Sequence, residues 1–118
     1  MAELDPEDAK IIVLARGARL RAYAPHTGVG EGAAVRDTDG RTYAAATVEN
    51  ADPNLTTSAL RGAVSAAASS GVRAFEAVAI VSDALVADAD LAVLREFGVG
   101  TPLLLADAGG VLREVRSS

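Results

Sequence analysis

The chain predicts a three-layer α/β domain with a mixed sheet, and three observations carry that expectation. Helix-like and strand-like stretches alternate in the order helix, two strands, helix, strand, helix, two strands, which places helices on both faces of a five-stranded sheet. Phe75 to Val81 is an almost unbroken apolar run of strand length, as a central strand buried on both faces requires. The last two strands are separated only by Asp107-Ala108-Gly109-Gly110. That connection is too short for a crossover, so they pair antiparallel.

Each element has a local reason. Asp5 followed by Pro6 suits an N-cap and first helical position, and Leu4, Ile11, Ile12, Leu14, Ala15, Ala18 and Leu20 form an apolar stripe through Arg21. A bend follows at Gly28, Gly30 and Gly32. Strands are expected from Ala33 to Asp37 and from Arg41 to Glu49, joined by a hairpin at Asp39-Gly40, because glycine tolerates the positive φ of tight turns. Tyr43, Ala45, Thr47 and Glu49 then share one face. Asp52-Pro53-Asn54 breaks the strand. A second helix runs from about Thr56 to Ser70, capped by Thr56 or Thr57 and ended by Gly71. Its Ala59, Ala63, Val64, Ala66, Ala67 and Ala68 permit close packing. Asp88 is the expected N-cap of a third helix through Phe97, ended by Gly98. Strands from Pro102 to Ala106 and Val111 to Val115 complete the order.

Composition bounds the function. The 118 residues suit one domain, 1–118, without repeat or linker. Half are hydrophobic, but much of that half is Ala and Val, with two Phe and two Tyr, so partner subunits are expected to supply some burial. A net charge of −5 argues against a nucleic-acid partner, and Arg16, Arg19 and Arg21 read as a solvated helix face. There is no cysteine, which excludes disulfides, thiolate nucleophiles and zinc–thiolate sites, and His26 is the one imidazole. No run has the length of a membrane span and no signal-peptide pattern opens the chain, so a cytoplasmic protein is expected.

Four motifs in order resemble the small cytidine deaminases. Ala22-Tyr23-Ala24-Pro25-His26-Thr27, then Gly32-Ala33-Ala34-Val35, is similar to that family's A-Y-x-P-[YH]-S and V-G-A-A-L. Val48-Glu49-Asn50-Ala51 with Leu55-Thr56 resembles V-E-N-A-S-x-x-L-T. Phe75 to Asp83 resembles a buried strand ending in S-D, and Leu94-Arg95-Glu96-Phe97-Gly98 resembles L-x-E-F-G. The resemblance runs from about Asp5 to Val115 and implies the cytidine deaminase-like fold. It also implies a zinc site at which this sequence departs from the pattern. The family's three cysteine ligands fall on Ser58, Ala87 and Asp90, and its proton-shuttling Glu falls on Leu60. Leucine neither takes nor gives a proton.

The binding positions are partly kept. Glu49 sits where the resemblance places a ribose-binding carboxylate, its partner is Thr47, and Val29 replaces an aromatic that stacks on the base. The family's C-terminal L-L-P does not occur before Ser118, which implies a more open pocket. Against each such role stands a plainer one. Asp88 and Asp90 suit helix capping better than metal binding. Asp90, with Ser58 and Thr57, can neutralise the two helix N-termini that converge on the family's metal. His26 suits loop packing. Glu49 can bind a sugar or hydrogen-bond the following loop, as Asn50 does. Gly28-Val29-Gly30-Glu31-Gly32 lacks the lysine and preceding strand of a phosphate loop.

The resulting expectation is a zinc-free, cofactor-free pseudoenzyme that does not deaminate cytidine. It acts instead through homodimer or homotetramer formation or through association with an unidentified protein. The alternative is a nucleoside or nucleotide sensor using Glu49 and Thr47. A hydrolase of unrecognised chemistry ranks third, because no nucleophile–base pair is visible.

Overall fold

A computed structural model describes residues 4–118, so the first three positions of the expected 1–118 domain lie outside the described residues. The elements are α1 (Pro6–Arg19), β1 (Gly32–Asp37), β2 (Thr42–Ala46), a 3-10 turn (Pro53–Leu55), α2 (Ala59–Ser69), β3 (Phe75–Val81), α3 (Asp88–Arg95), β4 (Pro102–Ala106) and β5 (Leu112–Ser117). The five strands form one sheet in the order β2-β1-β3-β4-β5. β1 runs antiparallel to β2 and β3, β3 runs parallel to β4, and β4 pairs antiparallel with β5. The expected mixed sheet and its antiparallel last pair are therefore present.

Strand alternation sends side chains into two cores. Ala33 and Val35 of β1, with Val78, Ile80, Leu103 and Leu105, pack against Ala59, Leu60, Ala63 and Val64 of α2 and Leu91 and Leu94 of α3. On the opposite face Ala34, Ala77, Ala79, Val81, Leu104 and Ala106 meet Ile11, Ile12 and Ala15 of α1. The α1 side of the sheet is lined mostly by alanine, so the helix lies close. A Cβ on Gly32 would stand 1.9 Å from the Ala15 carbonyl oxygen. The same helix is pinned by Arg36, buried in β1, whose guanidinium bonds Asp8 at 2.9 Å and Glu76 at 3.3 Å. Burial lowers the pKa of that guanidinium, but the two carboxylates outweigh it and hold the pKa above its ordinary value.

Several element boundaries differ from expectation, each for a local reason. α1 stops at Arg19, with Leu20 as its C-cap. β2 stops at Ala46 because the chain then leaves β1, and Val48 bridges Tyr23 on one side and Thr57 on the other. The N-cap of α2 is Ser58, whose side chain accepts from the Arg61 amide, while the Thr57 backbone is spent on Val48. The N-cap of α3 is Ala87, which places Asp88 and Asp90 inside the first turn. α3 ends at Arg95, and Phe97 beyond it packs edge-on against Phe75 at 5.5 Å. No helix among the described residues is long and apolar enough to cross a membrane.

Candidate functional site

Two clusters assemble near the start of α2. The first is organised by Glu49, which is 7 % exposed. Its Oε1 accepts from the backbone amides of His26 at 2.8 Å and Thr27 at 3.2 Å. Its Oε2 accepts from the Thr27 hydroxyl, and the same hydroxyl oxygen accepts from the Val29 amide at 3.0 Å. Thr47 Oγ1 accepts from the Glu31 amide at 3.0 Å. Arg19 closes the far side of this loop, donating from Nε to the Gly30 carbonyl at 3.0 Å. The solvated-face reading of the three arginines therefore needs correcting at Arg19, which spans from α1 to the loop. Thr47 and Glu49 thus both bond the loop that carries Val29, the half-exposed Val29 joining only through its amide, and the carboxylate of Glu49 is engaged by three donors. The Thr27 hydroxyl, opposed by burial and reinforced by the amides of His26 and Thr27, holds that carboxyl below the usual carboxylate range.

The second cluster joins the N-termini of α2 and α3. Ser58 Oγ donates to Asp90 Oδ1 at 2.7 Å, and it accepts from Arg61 N at 3.1 Å and Arg61 Nε at 3.2 Å. Arg61 Nε lies 3.5 Å from Asp90 Oδ1, and its Nη2 donates to the Thr56 carbonyl at 3.1 Å. Asp90 is 6 % exposed. Asp90 lies in the first turn of α3, where negative charge is favoured, and its carboxylate bonds the residue that caps α2. Of the four positions at which the sequence departs from the deaminase pattern, Ser58 and Asp90 meet. Ala87 lies at the start of α3 without a donor atom, and Leu60 is buried in the core beneath α2. Sequence reading missed Arg61. The available signal was its position three residues after a capping serine, which folds its side chain back over the cap.

A thiolate-held zinc does not fit these residues. Such a centre takes three or four soft or imidazole donors. The sequence holds no cysteine, Ala87 has no ligating atom, and the Ser58 oxygen already serves Asp90 and Arg61.

Comparison with known proteins gives a consistent picture. A family described as cytidine deaminase-like matches residues 4–110. A curated cytidine deaminase of Sporosarcina psychrophila is 39 % identical over 74 residues, covering 63 % of this chain and 54 % of the relative. The matched segment therefore spans about half the length of that relative. Cytidine deaminase from Burkholderia pseudomallei superposes with a TM-score of 0.85 at 32 % identity, covering 92 % of this chain and 90 % of the other. Cytidine deaminase from Mycobacterium tuberculosis does so with 0.77 at 29 %, covering 93 % and 91 %.

These relatives overturn the expectation of a non-catalytic protein acting by association, together with its sensor alternative, because each is named as a deaminating enzyme. The physical fault in that expectation was to equate lost metal ligands with lost chemistry. The fold still brings a buried carboxylate, a hydroxyl and a guanidinium to one place.

Proposed function

Since the chain belongs to the cytidine deaminase-like family, we propose that it is an enzyme acting on a cytidine-class nucleoside by hydrolytic deamination. The substrate class rests on the named relatives. The chemistry rests on one observation, the Ser58–Asp90–Arg61 cluster at two helix N-termini. In the reaction water adds to C4 of the base, the C4–N bond breaks, and ammonia leaves as C4 gains an oxygen. In this reading Asp90 accepts a proton from water and returns it to the departing amine. Ser58 and Arg61 hold its Oδ1 at 2.7 and 3.5 Å and so orient it. Glu49 supports the loop Ala22 to Glu31 along the substrate side rather than reacting. Association into a homodimer or homotetramer and a cytoplasmic location belong to the same reading.

The test is direct. The purified chain is incubated with cytidine or deoxycytidine, and uridine and ammonia are quantified with and without a metal chelator. Turnover is expected, insensitive to the chelator, with kcat falling about 10²–10⁴-fold in Asp90→Asn at a temperature where circular dichroism shows the variant folded. Absence of uridine formation above the rate in buffer overturns the reading. Turnover that survives Asp90→Asn removes Asp90 from its role.

A further inference from the structure

We propose that Glu31 is the specificity residue of the site, its carboxylate accepting a hydrogen bond from the exocyclic amine at C4 of the base, a role that rests on the deaminase reading above for its substrate. Gly32-Ala33-Ala34-Val35 matches the G-A-A-L of the family pattern, so the valine that opens V-G-A-A-L falls on Glu31. The chain thus carries an ionisable group where the pattern has hydrocarbon. At Leu60 it carries hydrocarbon where the pattern has a carboxylate. Relative to the pattern, a carboxylate is missing from the helix side of the site and one is present on the sheet side.

Topology brings Glu31 to that place. α2 begins beyond the C-terminal end of β2, and α3 begins beyond the C-terminal end of β3. β1 lies between β2 and β3 and runs antiparallel to both. Its N-terminal end, which Glu31 precedes, is therefore at the same edge of the sheet as the two helix N-termini that Ser58 and Asp90 join. The flanking glycines fix the face. A Cβ on Gly30 would stand 2.6 Å from the Ala22 side chain, and one on Gly32 would stand 1.9 Å from the Ala15 carbonyl oxygen of α1. Both neighbours point towards α1 and the chain that follows it. Strand alternation turns Glu31 to the opposite face, which it shares with Ala33, and Ala33 packs in the same core as Leu60 of α2. Thr47, across from Glu31, is followed by Val48, which bridges Thr57, the residue before the Ser58 cap.

The backbone of Glu31 is held at both polar atoms. Its amide donates to Thr47 Oγ1 at 3.0 Å, and its carbonyl accepts from the Thr47 amide at 3.1 Å. The residue is half-buried, and no ion pair among the described residues engages its carboxylate. A carboxylate only accepts hydrogen bonds. The C4 amine of cytidine donates to it, whereas the C4 oxygen of uridine is itself an acceptor and opposes it. The same negative charge favours the amine as it takes up a proton before leaving. A valine would do neither.

Steady-state kinetics with cytidine as substrate and uridine as product inhibitor test this on wild type, Glu31→Gln and Glu31→Val, each shown folded by circular dichroism. In wild type the inhibition constant of uridine is expected to exceed KM for cytidine by roughly tenfold or more, as for a charge-assisted hydrogen bond set against two opposed acceptors. Glu31→Gln, whose amide can donate as well as accept, is expected to bring the two constants together by tightening uridine. Glu31→Val is expected to bring them together by raising KM for cytidine roughly tenfold. A merely structural role would weaken both ligands alike. Variants that keep the wild-type preference overturn the proposal and leave the deaminase reading standing. A wild type without turnover removes that reading, and calorimetry with cytidine and uridine then decides on Glu31. A cytidine preference that Glu31→Gln abolishes supports the assignment, and equal or absent binding overturns it.

Discussion

Glu49 spends its acceptors on the loop between α1 and β1, and its protonation behaviour follows from that. The Thr27 hydroxyl and the amides of His26 and Thr27 all favour the charged carboxylate, so its pKa in the folded chain lies below the ordinary value. A group whose folded pKa is depressed contributes stability that is full above its unfolded value, about 4.3 for Glu, and that disappears as pH falls through the folded value. Glu49→Gln keeps the shape but loses the charge. It is expected to melt lower than wild type at pH 7, and the gap between the two is expected to close as pH falls below about 4. Thermal melts of both proteins across that range check this. A gap that is constant with pH would show that the charge of Glu49 is not what holds the loop.

At the scale of elements, the contact between α1 and the sheet is decided by one missing side chain. Gly32 faces backbone, since a Cβ there would meet the Ala15 carbonyl oxygen at 1.9 Å and the Arg19 amide at 2.6 Å. Backbone cannot rotate away as a side-chain tip can. Gly32→Ala is therefore expected to destabilise the fold by about 3 kcal/mol or more. At Gly17, within α1, a Cβ would meet nothing within 4 Å. Gly17→Ala is expected to stabilise by about 0.5–1 kcal/mol, because alanine loses less backbone freedom in a helix. Urea denaturation of the two variants measures both signs in one protein. Equal effects would mean that α1 can shift away from β1 at little cost.

For the whole molecule, the convergence of α2 and α3 poses an electrostatic problem that Ser58, Asp90 and Arg61 answer with protein atoms. Two helix N-termini meet there, and the Asp90 carboxylate supplies negative charge to both through the Ser58 hydrogen bond. Exhaustive dialysis against a chelator is accordingly expected to leave the melting temperature unchanged. A metal that formed part of the fold would carry folding free energy, and its removal would lower that temperature by many degrees. A drop on chelation, reversed by added zinc, would show that a metal belongs to this fold.

Much of this molecule was legible in the sequence, and the limits of that reading are physical. Periodicity and punctuation residues determined the element order, the central strand Phe75–Val81, the Asp5 cap and the antiparallel last pair, because these depend on neighbours only a few residues apart. Motif order along the chain carried the family resemblance. The true caps were not legible, since Ser58 lies one residue from Thr57 and Ala87 one residue from Asp88, and for α2 the register is set by where Val48 bridges Thr57. Convergence was not legible either. Ser58 and Asp90 lie 32 residues apart, and Glu49 lies 23 and 22 residues from the amides of His26 and Thr27. Only the packing of α2 beside α3 and of the loop beside β2 closes those distances. The sequence therefore determined which chemical groups this protein possesses and which it lacks. The tertiary structure decided which of them meet, because hydrogen bonds form over about 3 Å and chain separation carries no such information.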